Sequence, residues 1–295
     1  MIFLLLSILA STITVSFFKI FEKVRVNTLQ AIIFNYLTCA ILGNLIDSEQ
    51  AVITTTFYSE EWFKYTLLLG FLFISIFFAI GQTTQKMGVS VSMVSAKLSV
   101  VIPIVFALVM YKQNLVPIQI LGIILSLLSI YFISKKQNAT NTNQRTWLLP
   151  FIVFIGSGFI DTILNFIQTH FIPATSESHI ITTTFTMAFV IGFIYLLYLV
   201  IFKQEKIKLK NIFWGFLLGL PNYFSMLFLV KTLSYYATES ASIFPINNIG
   251  IVAASTLVAV LFFNEKLNKQ NLIGLGLALI AIILISFHQY IGLIF

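Results

Sequence analysis

Apolar residues in this 295-residue chain fall into runs of about 17–24 residues that are separated by short polar breaks. A helix rises 1.5 Å per residue, so about 20 apolar residues cross the ~30 Å hydrocarbon core of a bilayer. Unbroken runs such as LGIILSLLSIYFIS also lack the alternation over ~10 residues that marks the strands of a membrane barrel. The pattern therefore predicts an all-α integral membrane protein.

Composition argues against the other broad classes. Hydrophobic residues make up 59% of the chain and charged residues 9%, with a mean hydropathy of +0.99, whereas soluble domains carry about 25% charged residues. The net charge of +7 comes largely from lysines beside apolar runs, which indicates membrane topology and no nucleic-acid partner. Because Cys39 is the lone cysteine, the sequence predicts no intrachain disulfide and no cysteine metal site. We expect no metal and no cofactor.

Ten apolar runs predict ten spans, at residues 2–18, 28–46, 63–82, 90–111, 116–134, 147–168, 180–202, 212–230, 240–263 and 271–287. The first run has no basic residue before its apolar core, so it is interpreted as a retained span and not as a cleaved signal peptide. The longest polar connection in mid-chain, residues 135–147, divides the spans five and five. We therefore predict two units, residues 1–134 and 148–295, joined by that linker.

The two units resemble each other. LGIILSLLSIYFIS aligns with IGLGLALIAIILIS on Gly122 and Gly274, and KYTLLLGF aligns with FWGFLLGL on Gly70 and Gly219. A unit of five crossings ends on the opposite side of the membrane, so a second copy must insert upside down. The sequence therefore predicts ten transmembrane helices arranged as two inverted five-helix repeats.

Basic residues predict the orientation of the spans. Thirteen of the seventeen lie in the odd-numbered loops: Lys19, Lys23, Arg25, Lys86, Lys135, Lys136, Arg145, Lys203, Lys206, Lys208, Lys210, Lys266 and Lys269. By the positive-inside rule these loops face the cytoplasm, which places both termini outside. We expect a multi-pass protein of the inner or plasma membrane.

The ending FNEKLNKQNLIGLGLALIAIILIS, with ten spans in two halves, resembles the EamA-type members of the drug/metabolite transporter superfamily. Those proteins close each fourth span with a Gly-Glu-like turn before a fifth span that has an early glycine. Asn264-Glu265 before Gly274 fits that pattern, whereas Gln113-Asn114 before Gly122 lacks the acid. The resemblance implies alternating-access transport of a small organic solute such as an amino acid, often outward, and no enzymatic activity. It also implies both termini in the cytoplasm, opposite to the charge pattern.

The sixth predicted span carries a polar stripe. Steps of three and four residues place six positions of GSGFIDTILNFIQTH on one face: Gly158, Asp161, Thr162, Asn165, Gln168 and Thr169. Such a stripe either lines a water-filled path or supplies hydrogen bonds between helices. A carboxylate inside a span is costly enough to favour the path, where Asp161 could also carry a proton.

The fourth predicted span carries Lys97 in MVSAKLSVVIP. Ser92, Ser95 and Ser99 form a small-residue stripe on roughly the opposite face, and such stripes let helices pack closely. Lys97 then points either toward lipid, with its stem extended to the headgroups, or into a cavity. A cavity lysine favours an anionic or zwitterionic solute, or pairs with Asp161.

The second half supports a cavity at this level. In the Gly122–Gly274 register, Ser95, Ala96 and Lys97 fall opposite Asn247, Asn248 and Ile249. Both spans carry a proline nearby, and matching interrupted helices mark the midplane sites of transporters. We expect a substrate site that includes the following residues: Lys97, Ser95, Asp161, Asn165, Asn222, Asn247 and Asn248.

Other function classes are less well supported. A membrane-embedded enzyme needs clustered acid, base or metal ligands, whereas His170, His179 and His288 are scattered along the chain. A channel or a non-transporting scaffold stays open as an alternative, and so does the choice between monomer and homodimer. The expected partners are a small-molecule substrate and the lipid bilayer.

Overall fold

The computed structural model describes residues 1–46, 60–111, 117–133, 146–171, 177–235 and 240–286. Over these residues the chain is helical and no strand occurs. The helices are α1 (Ile2–Val24), α2 (Thr28–Ile46), α3 (Phe63–Met87), α4 (Val89–Leu98), α5 (Val101–Tyr111), α6 (Pro117–Ile133), α7 (Leu148–Phe171), α8 (Glu177–Lys203), α9 (Leu209–Tyr235), α10 (Ser240–Phe263) and α11 (Lys269–Ser286).

The prediction of an all-helical membrane protein is confirmed for the described residues. Within the described ranges, eight apolar stretches are long enough to cross a membrane, one of them being α4 with the first part of α5. The predicted fifth and tenth spans correspond to α6 and α11, which are apolar but shorter. Large apolar side chains such as Leu5, Phe71 and Leu261 are exposed on the outer surface, as lipid-facing residues would be. The ten-span count and the inversion stay predictions.

The fourth predicted span is not one helix. It breaks at Ser99 and Val100, between α4 and α5. Pro103 explains the position of the break, because a proline has no N–H to donate and its ring clashes with the carbonyl four residues earlier. The carbonyl of Ser99 instead accepts a 2.8 Å hydrogen bond from the Ile102 N–H. The corresponding helix of the second half, α10, runs through Pro245 without a break.

Close packing between the halves depends on glycine. A Cβ atom on Gly219 of α9 would lie 2.8 Å from the carbonyl oxygen of Asn35 in α2, and one on Gly70 of α3 would lie 2.8 Å from Cβ of Met187 in α8. The nearest side chain to Gly219 is that of Thr38. When Gly70 is aligned with Gly219, Thr38 falls opposite Met187, so the α2–α9 contact and the α3–α8 contact are counterparts.

The α6–α11 pair is reciprocal in the same way. Gly122 of α6 faces Ile285, and Gly274 of α11 faces Ile133. In the alignment of Gly122 with Gly274, Ile133 falls opposite Ile285. α1 also contacts α10, and α4 contacts α7. These two contacts are counterparts, because α1 corresponds to α7 and α4 corresponds to α10.

Four turns meet at one end of the helices, at residues 25–27, 88, 204–208 and 264–268, and we name this end the basic face. Nζ of Lys210 donates to the Val24 carbonyl, and Asn27 donates to Glu205 over 2.7 Å. Nζ of Lys23 lies 5.3 Å from the centre of the Phe263 ring. Many of the basic residues of the odd-numbered loops therefore collect at a single end of the molecule.

Candidate functional site

A cavity of about 220 Å³ lies between the two halves. Its aromatic and aliphatic wall comes from α1, α2, α3, α4, α7 and α8: Val15, Phe18, Tyr36, Phe73, Ile76, Phe77, Ile80, Met93, Ala96, Ile160 and Phe185. Its polar groups come from α1, α4, α7, α9 and α10: Ser11, Thr14, Lys97, Ser157, Asp161, Asn222, Ser225 and Asn248. Ligand sites in proteins typically combine such an apolar wall with a few polar groups.

Lys97 reaches the cavity from the last turn of α4. Ser92 of the serine stripe contacts α3 instead, because its hydroxyl donates to the Ile80 carbonyl over 3.1 Å. Ser95 is fully buried and donates to the Val91 carbonyl of its own helix. Ser95, one of the predicted site residues, therefore lies behind Lys97 and does not line the cavity.

Asp161 reaches the same cavity from the middle of α7. The hydroxyl of Ser99, at the α4–α5 break, lies 3.0 Å from Oδ2 of Asp161 and donates to it. Lys97 and Asp161 are near enough to interact electrostatically, but they do not form an ion pair within 4 Å. Among the described residues such a pair joins Lys19 and Glu22. Lys97 and Asp161 thus line one cavity without forming an ion pair within 4 Å.

Asn222 lines the cavity from α9 and is held from behind by α2. Its Nδ2 donates to Oδ1 of Asn35 over 3.1 Å. Asn35 is fully buried, and its own Nδ2 has no hydrogen-bond partner within the described part of the chain. Leaving a buried amide N–H without a partner costs free energy.

Asn247 and Asn248 are both buried in α10. Of the two, Asn248 lines the cavity and Asn247 does not. Oδ1 of each side chain lacks a hydrogen-bond partner among the described residues. Asn248 therefore presents a buried acceptor beside the cavity, and a donor on a bound solute would satisfy it.

The polar stripe of α7 divides between cavity and surface. Asp161 lines the cavity, whereas Asn165, one turn further on, is exposed and is not among the lining residues. Thr162 is buried and donates to the Gly158 carbonyl. The side chains at 168 and 169 lie outside the described residues.

The sequence reasoning missed the α1 and α2 contributions to the cavity. Ser11 and Thr14 belong to the run LASTITVS, whose small polar residues within an apolar helix are a usable signal. Tyr36 and Phe73 carry no such signal, because the chain contains 31 Phe and 11 Tyr and most pack in the core or against lipid. The described residues contain no group of three or more His, Cys, Asp or Glu that could hold a metal ion.

Fold and cavity together define a multi-pass helical membrane protein with a polar site between its two halves. Residues 148–287 match the model of the EamA-like transporter family, so the resemblance predicted from the sequence is confirmed over the second half of the chain. The match covers that half of the chain and shows its similarity to EamA-like transporters.

Two further similarities extend over the whole chain. A protein of Haemophilus influenzae that is described as uncharacterized is 27% identical over 288 residues, 95% of each chain. A solved crystal structure superposes with a TM-score of 0.59 over 99% of this chain and 97% of that chain, at 10% sequence identity. At that identity the likeness concerns the fold alone.

Proposed function

We propose that the protein carries a small zwitterionic solute with an apolar body across the membrane by alternating access, using the cavity between its halves. The observation that carries this proposal is the separation of Lys97 from Asp161 within one cavity. A charge inside a membrane protein is stabilised by a partner of opposite sign. A solute with a carboxylate and an ammonium group supplies a partner for each residue at once.

The remaining lining residues suit the rest of such a solute. Phe18, Phe73, Phe77 and Phe185 offer an apolar wall for its body. The unpartnered Oδ1 of Asn248 accepts a further hydrogen bond from its ammonium group. An amino acid with an apolar side chain has this combination of groups.

The reciprocal helix contacts support two five-helix repeats related by a two-fold axis. Each repeat has five crossings in the predicted topology, so the second repeat is inverted and the two halves rock about the cavity. The outward direction of transport rests on the family resemblance alone.

Three related compounds test the proposal in proteoliposomes: leucine, leucinamide and 4-methylpentanoate. They share an apolar body and differ in charge, being a zwitterion, a cation and an anion. We expect saturable flux of leucine and weak flux of the other two. A charge-assisted hydrogen bond contributes ~1.5–3 kcal/mol, so losing one lowers affinity about 10- to 100-fold.

Substitutions then assign each charge to its residue. Lys97→Ala should remove the preference for leucine over leucinamide, because the carboxylate loses its partner. Asp161→Asn should remove the preference for leucine over 4-methylpentanoate, because the ammonium group loses its partner. Lys64→Ala, which removes an exposed lysine outside the cavity, should change neither. Unsaturable flux that ignores both substitutions would instead indicate a channel, and absence of flux for every small solute screened would reject transport.

A further inference from the structure

Glu265 reaches from the second half of the protein to the start of a helix in the first half. Its Oε1 lies 2.7 Å from the Val89 N–H, which donates to it, and its Oε2 accepts from the Ser90 hydroxyl over 3.4 Å. Val89 is the first residue of α4. The carboxylate therefore caps the N-terminus of α4 from outside that helix and from the other repeat.

The local backbone is built for this contact. Asn264 adopts a left-handed conformation with φ 53°, and the Glu265 N–H donates to the Ala259 carbonyl over 3.0 Å. This closed turn directs Glu265 toward α4. On the receiving side Gly88 has φ 108°, and a Cβ atom there would lie 2.7 Å from Oε2 of Glu265. Glycine is thus required at residue 88 both by its conformation and by the approach of the carboxylate.

The capped helix is short and ends in the substrate cavity. Lys97 follows Val89 by eight residues, which is about 12 Å along a helix. The partial positive charge at the start of a helix is stabilised by a carboxylate, and a capping bond contributes ~0.5–2 kcal/mol. A displacement of α4 away from Glu265 would move Lys97 with it, because both Val89 and Lys97 belong to this one helix of ten residues.

Neighbouring contacts close the same end of the molecule. Nζ of Lys19 lies 2.7 Å from Oε2 of Glu22 and donates over 3.2 Å to the carbonyl of Gln85, near the end of α3. The Gln85 side chain donates to the Thr28 hydroxyl over 2.8 Å. α1, α2 and α3 are therefore tied together beside the Glu265 contact.

We propose that Glu265 is the latch of the basic face: its carboxylate on the α4 N-terminus positions Lys97 and keeps the cavity closed toward that face. Opening toward the basic face separates the turn at 264–268 from the α3–α4 turn and breaks this contact. The role in a transport cycle rests on the proposed function, but the closure itself does not.

Labelling of a cavity cysteine tests the latch without a substrate. In a Cys39→Ser background, Ser157→Cys places a reporter in the cavity wall. Vesicles of both orientations are treated with a membrane-impermeant maleimide, and Lys206→Cys, an exposed position on the basic face, identifies that side. Glu265→Ala should raise the labelling rate from the basic face about tenfold, which corresponds to ~1.4 kcal/mol, and lower it from the other face.

Further variants separate a latch from general loosening. Glu265→Gln keeps an oxygen for the Val89 N–H and should label like the parent. Glu265→Asp keeps the charge but is too short to reach, and should label faster from the basic face even if Glu265→Ala fails to fold. Glu61→Ala removes an exposed acid at the opposite end and should have no effect.

Faster labelling from both faces, or no difference between the Asp and Gln variants, would overturn the latch. The two proposals fail separately. A labelling shift without flux would reject transport and keep the latch, whereas normal flux with unchanged labelling would reject the latch and keep transport.

Discussion

Charged residues near the membrane core acquire their roles from what lies opposite them. Lys97 and Asp161 line one cavity without an ion pair within 4 Å, which is why we propose that each binds a group of the solute. Glu265, at the edge of the membrane, instead accepts hydrogen bonds from the Val89 N–H and the Ser90 hydroxyl. The sequence marks all three as unusual, but only their surroundings distinguish a binding group from a cap.

Glu265 gives a pH-dependent prediction. Burial raises the pKa of its carboxyl group above the ordinary value of 4.5, against the opposing effects of the Val89 and Ser90 hydrogen bonds and of Lys19. The folded state then holds the proton more tightly than the unfolded state. The free energy of unfolding should therefore fall as pH rises from about 4.5 through the raised pKa.

Glu265→Gln cannot titrate and should flatten this slope of stability against pH. The measurement is the melting temperature of the purified protein in detergent as the pH is raised from about 4.5, the ordinary value of the group, toward neutral pH. Glu61→Gln, at an exposed position, should keep the slope of the parent. An unchanged slope in Glu265→Gln would show that another group carries the dependence.

At the scale of helices, close approach between the halves yields a second prediction. Gly219→Ala would bring a Cβ atom to within 2.8 Å of the Asn35 carbonyl oxygen and force α9 away from α2. Overpacking of this kind costs ~1–3 kcal/mol. Gly70→Ala, its counterpart at the α3–α8 contact, should lower the melting temperature similarly.

Gly276 supplies the matched control, because a Cβ atom there would meet nothing within 4 Å. Gly276→Ala should be neutral or slightly stabilising, since alanine favours a helix over glycine by ~1 kcal/mol. A loss of stability in Gly276→Ala as large as in Gly219→Ala would mean that close packing is not the reason for the glycines.

Helices were largely predictable from the sequence, and their rotation was not. Run length indicates a span because the bilayer fixes it, and Pro103 signals an interruption that the structure places at Ser99 and Val100. Whether Tyr36 or Phe73 faces the cavity depends on how each helix turns against its neighbours, and both fit core, lipid and cavity equally well. Asn165 shows the opposite case. It belongs to the same polar stripe as Asp161 and follows it by one turn, yet it does not line the cavity.

At the scale of the whole molecule, the two-fold pattern of contacts follows from local alignments. Gly122 with Gly274 and Gly70 with Gly219 were alignable from a few residues each, and each pair packs against matching positions of the other half. The latch has no such counterpart in sequence, because Lys112-Gln113 falls opposite Asn264-Glu265 in the alignment of Gly122 with Gly274. Because only one of the two corresponding turns carries an acid, we predict that the two ends of the cavity open with unequal ease.

The orientation of that asymmetry follows from charge. Lys203, Lys206, Lys208 and Lys210 lie exposed on the basic face, and the positive-inside rule places such a face in the cytoplasm. In a Cys39→Ser background we therefore expect Lys206→Cys to react with an impermeant maleimide only after cells are permeabilised. Glu61→Cys, at the opposite end of α3, should react in intact cells.

A reporter that is active only in the cytoplasm gives an independent measure when it is fused after Phe295. The charge pattern predicts that this fusion is inactive, because the tenth span would end outside. Activity of the fusion together with labelling of Lys206→Cys in intact cells would reverse the orientation. The latch would then guard the external end of the cavity, since its contacts are fixed to the basic face and not to either compartment.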